Sequence, residues 1–385
     1  MTNRKTKEIQ FKIDHLDRFG QGVHKDSATN LVTFIPGTLP EEKGTATVTK
    51  SKGKVQFAKL KQLEKSSEFR VSSECEFFDK CSGCQYWMTT REKESEYKQE
   101  TYKRNLRSAF PQLSDDLKVK WITTENRSHY RNRIQLHYDR KQKVIGYRDQ
   151  QNNIIKIDRC LTASVKINDF LQNILTANSW LNFLRKNDPP RGHFEIYESS
   201  ESNEVLFSIN QDYAFGGFTQ VNTETNQLML KHLEDLFFGE DPILKKSDIV
   251  FDLFGGNGNL TRSLKEQRVL VVDGQRPARP IAEHQEFYEI NLYGQQAVEK
   301  VSEITKNTPK LMIVDPPRSG LRNLNEFISQ IKPEYVLYIS CQYDSMLRDL
   351  RNLNAESFQF LNFALCDLFP ATHHVEAITL IKTGI

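Results

Sequence analysis

The sequence predicts an α/β protein of three parts, and three observations carry that prediction. From residue 218 onward, short apolar runs alternate with helical segments. Up to residue 65, β-prone runs follow one another without helices, and between these regions lies a less regular stretch with three cysteines close together. Alternating strands and helices predict a parallel sheet covered by helices on both faces, whereas consecutive short strands predict a small barrel. The chain has 385 residues. At about 100 to 200 residues per domain, that is enough for two or three separate cores.

Hydrophobic residues make up 38% and charged residues 27% of the chain, a polar composition that still carries enough large apolar side chains to fold, so a disordered tail is excluded. No run approaches the ~18 apolar residues of a membrane helix, and the start MTNRKTKEIQFK lacks the apolar core of a secretion signal. The expected compartment is the cytoplasm. The net charge of +3 is unevenly spread: residues 1–65 carry 13 Lys and Arg against 7 Asp and Glu, leaving the remainder net negative. A basic amino-terminal module suits a polyanion such as nucleic acid.

In order along the chain, residues 1–65 contain the runs IQFKI, LVTFI, GTATVTK and KVQFAKL, separated by Gly, Pro and Asn turn signals. They predict a basic antiparallel barrel of the kind that binds RNA. Residues 66–217 form the middle domain. It holds a Cys-rich loop, a charged helix near residues 88–112 expected to pack on the catalytic domain, and the strand-like runs RNRIQLHYD, KVIGYRD and HFEIYES. Here Tyr130, Arg131, Arg133, His137 and Arg148 combine aromatic and basic side chains as an RNA-contacting surface would. Residues 218–385 carry DIVFDLFG, RVLVVDG, KLMIVDPP, EYVLYISC and EAITLIKT as strands of the parallel sheet, whose ligands bind at the carboxyl ends of the strands.

Six cysteines without a secretion signal are too sparse for a disulfide framework, but Cys75, Cys81 and Cys84 are clustered. In a reducing compartment such clustering points to metal or iron–sulfur ligation.

The strand DIVFDLF runs into Gly255-Gly256-Asn257-Gly258-Asn259, and a helix is expected from Leu260. The next strand ends in Asp273, where a carboxylate can accept hydrogen bonds from both ribose hydroxyls of a nucleoside. There is neither a GxGxxG fingerprint nor a phosphate-loop lysine, so a nucleoside-type cofactor such as S-adenosylmethionine is favoured over a dinucleotide or ATP.

Two later strands end in Asp315 and Cys341, at the edge where reactive groups gather in this fold. The segment FPATHHVE places His373, His374 and Glu376 before the last strand. Carbon 5 of uracil is too weak a nucleophile to attack a methyl sulfonium until a thiolate has added at carbon 6, and a base must afterwards remove the carbon 5 proton. Cys341 and Glu376 fit those roles, with the His pair as alternative bases.

The ordered set FTQVN (218–222), DLFGGNGNL (252–260), DPPRSGL (315–321), ISC (339–341) and FPATHHVE (369–376) resembles the RNA uracil-5 methyltransferase family over essentially the whole chain. The resemblance implies a Rossmann-like class I methyltransferase domain, a TRAM-like (OB-like) amino-terminal barrel and an α+β iron–sulfur middle domain. It implies Cys341 as nucleophile, Glu376 as base, and Gln220, Phe254, Asn259, Asp273, Asn291 and Asp315 lining the S-adenosylmethionine and uracil site. Asp273 stands where members more often have Glu, and QRPARPIAEHQ replaces a typical helix after it. Cys75, Cys81, Cys84 and Cys160 look like the family's 4Fe-4S ligands, with a structural role; the same spacing would also hold zinc.

The barrel and cluster together resemble members acting on 23S ribosomal RNA more than those acting on the transfer RNA T-loop. A monomer with no membrane partner is expected. The rival readings are a T-loop uridine methyltransferase, a cytosine-5 methyltransferase and an inactive RNA-binding iron–sulfur protein.

Overall fold

The computed structural model describes residues 7–384, apart from 115–116, 200–201, 203, 213–214, 216–218, 278–279 and 355–356. Phe218 of the FTQVN motif, and with it the expected boundary at residue 218, lies outside the described residues. The chain forms two compact units. The first comprises residues 1–102, 125–213 and 369–373, the second residues 103–124, 214–368 and 374–385.

The first unit begins with β1 (Glu8–Lys12), β2 (His15–Leu16), β3 (Gly22–Asp26), β4 (Leu31–Ile35), β5 (Lys43–Lys52) and β6 (Val55–Lys65), in the sheet order β1-β5-β6-β4-β3-β2. Period-two alternation explains its core: along β6, Gln56 and Ala58 point inward while Phe57 and Lys59 point out. Phe11, Ile13, Ile35, Ala46 and Ala58 fill the interior. The expected charged helix is α1 (Arg91–Ala109), which begins in the first unit and ends in the second. Next comes the short β7 (Lys120–Ile122) of the second unit.

The first unit resumes with β8 (Arg133–Asp139), β9 (Val144–Arg148), β10 (Ile154–Lys156), α2 (Val165–Leu175), β11 (Arg191–Glu198) and β12 (Val205–Ile209). The strands make an antiparallel sheet of order β10-β9-β8-β11-β12. The Ser164 hydroxyl caps α2 by accepting from Ile167 N–H. Ile167, Leu171 and Ile174 of that helix pack with Leu136, Phe194 and Trp180. One sequence expectation fails here. Arg133 is buried, and its guanidinium donates to Glu195 at 2.9 Å, so it belongs to the interior of this sheet and cannot serve as an RNA contact.

The second unit contains α3 (Thr223–Phe238), β13 (Ile249–Leu253), β14 (Arg268–Asp273), β15 (Gln285–Glu289), α4 (Ala297–Ser302), β16 (Leu311–Val314), α5 (Leu324–Ile331), β17 (Tyr335–Ser340), α6 (Tyr343–Arg351), β18 (Phe358–Cys366) and β19 (Glu376–Thr383). Its sheet runs β15-β14-β13-β16-β17-β19-β18-β7. The strands from β15 to β17 are parallel, but β19 lies antiparallel between β17 and β18. The expected parallel sheet is therefore mixed, because residues 367–375 make a connection shorter than the dozen or so residues a parallel crossover needs. The helix expected from Leu260 is also absent. Residues 256–263 stay in turns, with Gly256 and Gly258 at positive φ and the Thr261 hydroxyl donated to Asp252.

Candidate active site

The carboxyl ends of β13, β14, β16, β17 and the start of β19 carry the expected site residues, all within the second unit. After β13 the chain turns sharply through Phe254, which adopts φ 63°. A Cβ on Gly255 would sit 2.7 Å from Asp252 Cγ, and one on Gly258 would sit 2.6 Å from the Gln285 amide. Gln285 fixes the turn from β15 by donating to Gly258 O and Thr261 Oγ1, both at 2.9 Å. By contrast, a Cβ on Gly256 would meet open space. Asp273 faces this turn, accepting from Gly256 N–H at 3.1 Å and Gln275 N–H at 3.0 Å. An acidic side chain beside an unobstructed glycine turn, with no lysine in the turn itself, fits a nucleoside and offers no counter-charge to phosphates.

The remaining cofactor candidates lie nearby in the chain order of the fold. The Phe254 ring packs against Tyr293 with centroids 5.4 Å apart. Asn291 follows β15 and accepts from Tyr293 N–H at 3.0 Å. Asn259 is exposed at the turn, and Gln220 is half-buried ahead of Asn222, whose side chain caps α3 by accepting from Thr225 N–H.

The candidate reactive pair, Cys341 and Glu376, is set by strand register. Ser340, the last residue of β17, pairs with Ala377 of β19. The antiparallel geometry thus brings Cys341, one step past that pair, level with Glu376, one step before it. Asp315 directly follows β16, the parallel neighbour of β17. Glu376 is only 6% exposed, and its Oε2 has no hydrogen-bond partner among the described residues. A buried carboxyl with an unsatisfied oxygen is costly for folding and marks a group kept for another purpose.

Electrostatics couple these side chains. Burial, followed by the charges of Glu376 and Asp315, pushes the Cys341 thiol up to about 11, while the charge of Arg318 and its hydrogen bond to the thiol work the other way. Burial and then Asp315 hold the Glu376 carboxyl well above the usual carboxylate range, again opposed by Arg318. Asp315 is pushed up to about 7 by burial and by Asp252, and Asp252 to about 6 chiefly by burial. Buried carboxyls that raise one another do not both ionise readily.

Arg318 and Asp252 were not singled out by sequence reasoning, although both lie inside quoted motifs, DPPRSGL and DLFGGNGNL. Nothing in a linear motif says that Arg318 turns toward the thiol. The loop around it is held from α6: Ser345 Oγ donates to Arg318 O at 2.7 Å, Arg348 Nη2 to Ser319 O at 2.7 Å, and Asp349 accepts from Leu321 N–H at 2.6 Å. His373, an alternative base from the sequence, is spent otherwise. Its backbone N–H donates to Gln85 Oε1 at 3.0 Å, and its ring Nδ1 lies 2.9 Å from the same oxygen.

In the first unit, Cys75, Cys81, Cys84 and Cys160 line one pocket together with Phe77, Trp87 and Tyr147. All four are free thiols. Burial pushes Cys75 and Cys81 upward and Cys84 up to about 12. Among the described residues, no three or more His, Cys, Asp or Glu side chains converge closely enough to hold a single metal ion.

Comparison with known proteins agrees with this geometry. A family model described as tRNA (Uracil-5-)-methyltransferase matches residues 284–383, the segment with Asp315, Arg318, Cys341 and Glu376. The chain is 26% identical to the 23S rRNA (uracil(1939)-C(5))-methyltransferase RlmD of Shewanella sediminis, covering 97% of this chain and 96% of that protein. It is 24% identical to the RlmD of Francisella tularensis subsp. novicida at the same coverage. A crystal structure of Pyrococcus abyssi tRNA (uracil-54, C5)-methyltransferase, in complex with S-adenosyl-L-homocysteine, superposes with a TM-score of 0.70 at 18% identity over 97% of this chain and all of that one. That likeness carries the class I methyltransferase fold. With the five motifs in order and Cys341 and Glu376 brought level by the sheet, the chain is similar over nearly its whole length to RNA uracil-5 methyltransferases, and residues 284–383 match that family's model.

Proposed function

We propose that the substrate is one uridine of 23S ribosomal RNA, methylated through a covalent bond between Cys341 and the uracil ring. The supporting observation for the chemistry is the β17–β19 register that sets Cys341 level with Glu376. Support for the choice of RNA comes from the RlmD relatives, whose likeness spans the barrel and middle regions as well as the catalytic one.

In this reading, the Cys341 thiol gives up its proton to water, which leaves Glu376 free for the later step, and the thiolate adds to carbon 6. The carbon 5–carbon 6 electron pair then moves into the ring as an enolate, which Arg318 helps to balance. S-adenosylmethionine, when bound against Asp273 and the glycine turn with Gln220, Phe254, Asn259, Asn291 and Asp315 around it, supplies an electrophilic methyl group. Carbon 5 takes that methyl as the methyl–sulfur bond breaks and the neutral thioether S-adenosylhomocysteine is released, and it keeps its original hydrogen. Glu376, ionised, removes the carbon 5 proton, the double bond re-forms, and the thiolate leaves. A carboxyl held above its ordinary range is a stronger base once ionised, which suits a carbon acid. The target base must be flipped out of any helix, since a stacked ring hides carbon 6.

The barrel of residues 1–65 is read as a TRAM-like module, residues 66–217 as the iron–sulfur domain and residues 218–385 as the catalytic domain. Cys75, Cys81, Cys84 and Cys160 are read as ligands of a structural 4Fe-4S cluster. They border one aromatic-lined pocket, and the resemblance of their spacing to the family's ligand set favours the cluster over a lone zinc ion. Burial disfavours the Cys75, Cys81 and Cys84 thiolates unless a cation compensates them. Among the described residues no helix is long and apolar enough to cross a membrane, and the cytoplasm, where ribosomal RNA is found, is the proposed compartment.

Deleting the gene and mapping 5-methyluridine in ribosomal and transfer RNA tests the assignment. Loss at one 23S position supports it. Loss confined to the T-loop overturns the choice of RNA.

A further inference from the structure

The outer face of the amino-terminal barrel carries a feature that the methyl-transfer chemistry does not use. Phe34 of β4 and Phe57 of β6 are directly paired across parallel strands, and their rings stack with centroids 5.5 Å apart and planes 25° from parallel. Phe57 is 40% exposed. The interior of the same strands is filled by the opposite face, where Thr33 and Gln56 are buried, so the stack is not part of the barrel core.

Charge surrounds the stack. Residues 43–63 contain six lysines and no acidic residue. In the sheet register, Lys50 of β5 pairs with Phe57, and Lys52 pairs with Val55. Val55 pairs with Val32, and Val32 with Lys25 of β3. Residues directly opposite share a face. Two adjacent rows therefore run Lys50–Phe57–Phe34 and Lys52–Val55–Val32–Lys25, an apolar and aromatic strip edged with ammonium groups. Lys59 follows two residues after Phe57 on the same face, and Lys25, Lys50, Lys52 and Lys59 are all exposed.

We propose that Phe34 and Phe57 form a stacking platform for an unpaired base of RNA, with Lys25, Lys50, Lys52 and Lys59 holding the flanking phosphates. The proposal rests on the RNA reading above and names where the barrel grips that RNA. Flat aromatic faces accept any base, and lysines on flexible stems contact phosphates without reading sequence. The platform should therefore favour single strands over duplexes and be indifferent to sequence.

The test is fluorescence anisotropy with the full chain and a labelled mixed-sequence oligoribonucleotide of about ten nucleotides, comparing wild type with Phe57→Leu, Phe34→Leu and Phe57→Tyr. Leucine keeps the apolar bulk but loses the ring. The leucine variants should bind about tenfold more weakly with an unchanged salt slope, while Phe57→Tyr binds like wild type. Lys50→Ala and Lys52→Ala should each flatten the plot of log affinity against log salt by ~0.7. In methylation assays Phe57→Leu should raise KM for RNA and leave kcat unchanged. Leucine variants that bind as tightly as wild type, or a duplex of the same composition that competes as well as the single strand, would overturn the platform. A wild-type chain that methylates no RNA while Phe57→Leu still weakens oligonucleotide binding would sink the methyltransferase reading and leave the platform standing.

Discussion

Cys341 leaves β17 one residue beyond the Ser340–Ala377 pair, and Glu376 enters β19 one residue before it, so a single antiparallel register fixes the spacing of the proposed nucleophile and the proposed base. The placement follows from β19 being inserted between β17 and β18. A β19 strand running parallel to β17 would carry Glu376 to the far end of the sheet.

This pairing predicts a separation of the two chemical steps. With Glu376→Gln, addition and methyl transfer can occur, but the carbon 5 proton stays and the thiolate cannot leave. Turnover should fall by roughly 100- to 10,000-fold, and a methylated protein–RNA adduct should build up on denaturing gels. A variant that is slow without accumulating adduct would assign Glu376 to an earlier step.

The titration of Asp315 bears on stability as well as activity. Its folded-state value of about 7 lies above the ordinary 3.8, so its protonated form favours the fold. That contribution is complete below about pH 4 and is lost as pH rises toward 7 and beyond. Asp315→Asn should stabilise the protein at pH 8 by on the order of 1–3 kcal/mol while lowering activity, as read by thermal melting and methylation assays. Lower stability of this variant at pH 8 would contradict the assignment.

Arg318 should act on the thiol directly. Removing it as Arg318→Ala takes away a cationic and hydrogen-bonding influence that holds the Cys341 value down, so the thiol should rise above about 11. Alkylation of Cys341 by iodoacetamide near pH 8 should slow several-fold, in step with kcat/KM. Unchanged alkylation with reduced kcat/KM would instead make Arg318 a contact for RNA alone.

The glycine turn gives a graded pair of substitutions. Gly256 and Gly258 both have positive φ, but only a Cβ on Gly258 collides with Gln285. Gly256→Ala should cost about 1–2 kcal/mol of strain and weaken S-adenosylmethionine modestly, whereas Gly258→Ala should abolish measurable binding by calorimetry. Equal effects would mean that the Gln285 contact is unimportant.

Iron analysis distinguishes the readings of the cysteine pocket. Anaerobically purified protein should carry about four iron and four sulfide per chain with absorbance near the blue edge of the visible, and Cys81→Ser should lower both and loosen the first unit to proteolysis. Stoichiometric zinc without sulfide would replace the cluster reading.

Much of the architecture was legible because burial writes itself into strand composition. IVFDL, LMIV and VLYIS are apolar apart from Asp252, Tyr338 and Ser340, as strands covered on both faces tend to be, and they appear in β13, β16 and β17. The polar runs of β3 and of the edge strand β15, GVHKD and QEFYE, carry no such signature in the sequence. The sequence placed Cys341, Asp315 and Asp273 at strand ends and Glu376 just before the last strand, and the structure puts them there, while their roles stay proposals. Arg133 was misread because a cation on a strand looks alike whether it faces solvent or, as here, a buried Glu195. The role of Arg318 depends on a loop held by α6, a tertiary fact that local sequence does not contain.

The most direct measurement is mass spectrometry of the protein after incubation with S-adenosylmethionine and RNA containing 5-fluorouridine, in which fluorine replaces the proton that Glu376 would remove. The expected result is a peptide in which Cys341 carries the fluorinated, methylated nucleotide, absent from Cys341→Ala. Methylated natural RNA with no trapped adduct, or an adduct on a residue other than Cys341, would contradict it.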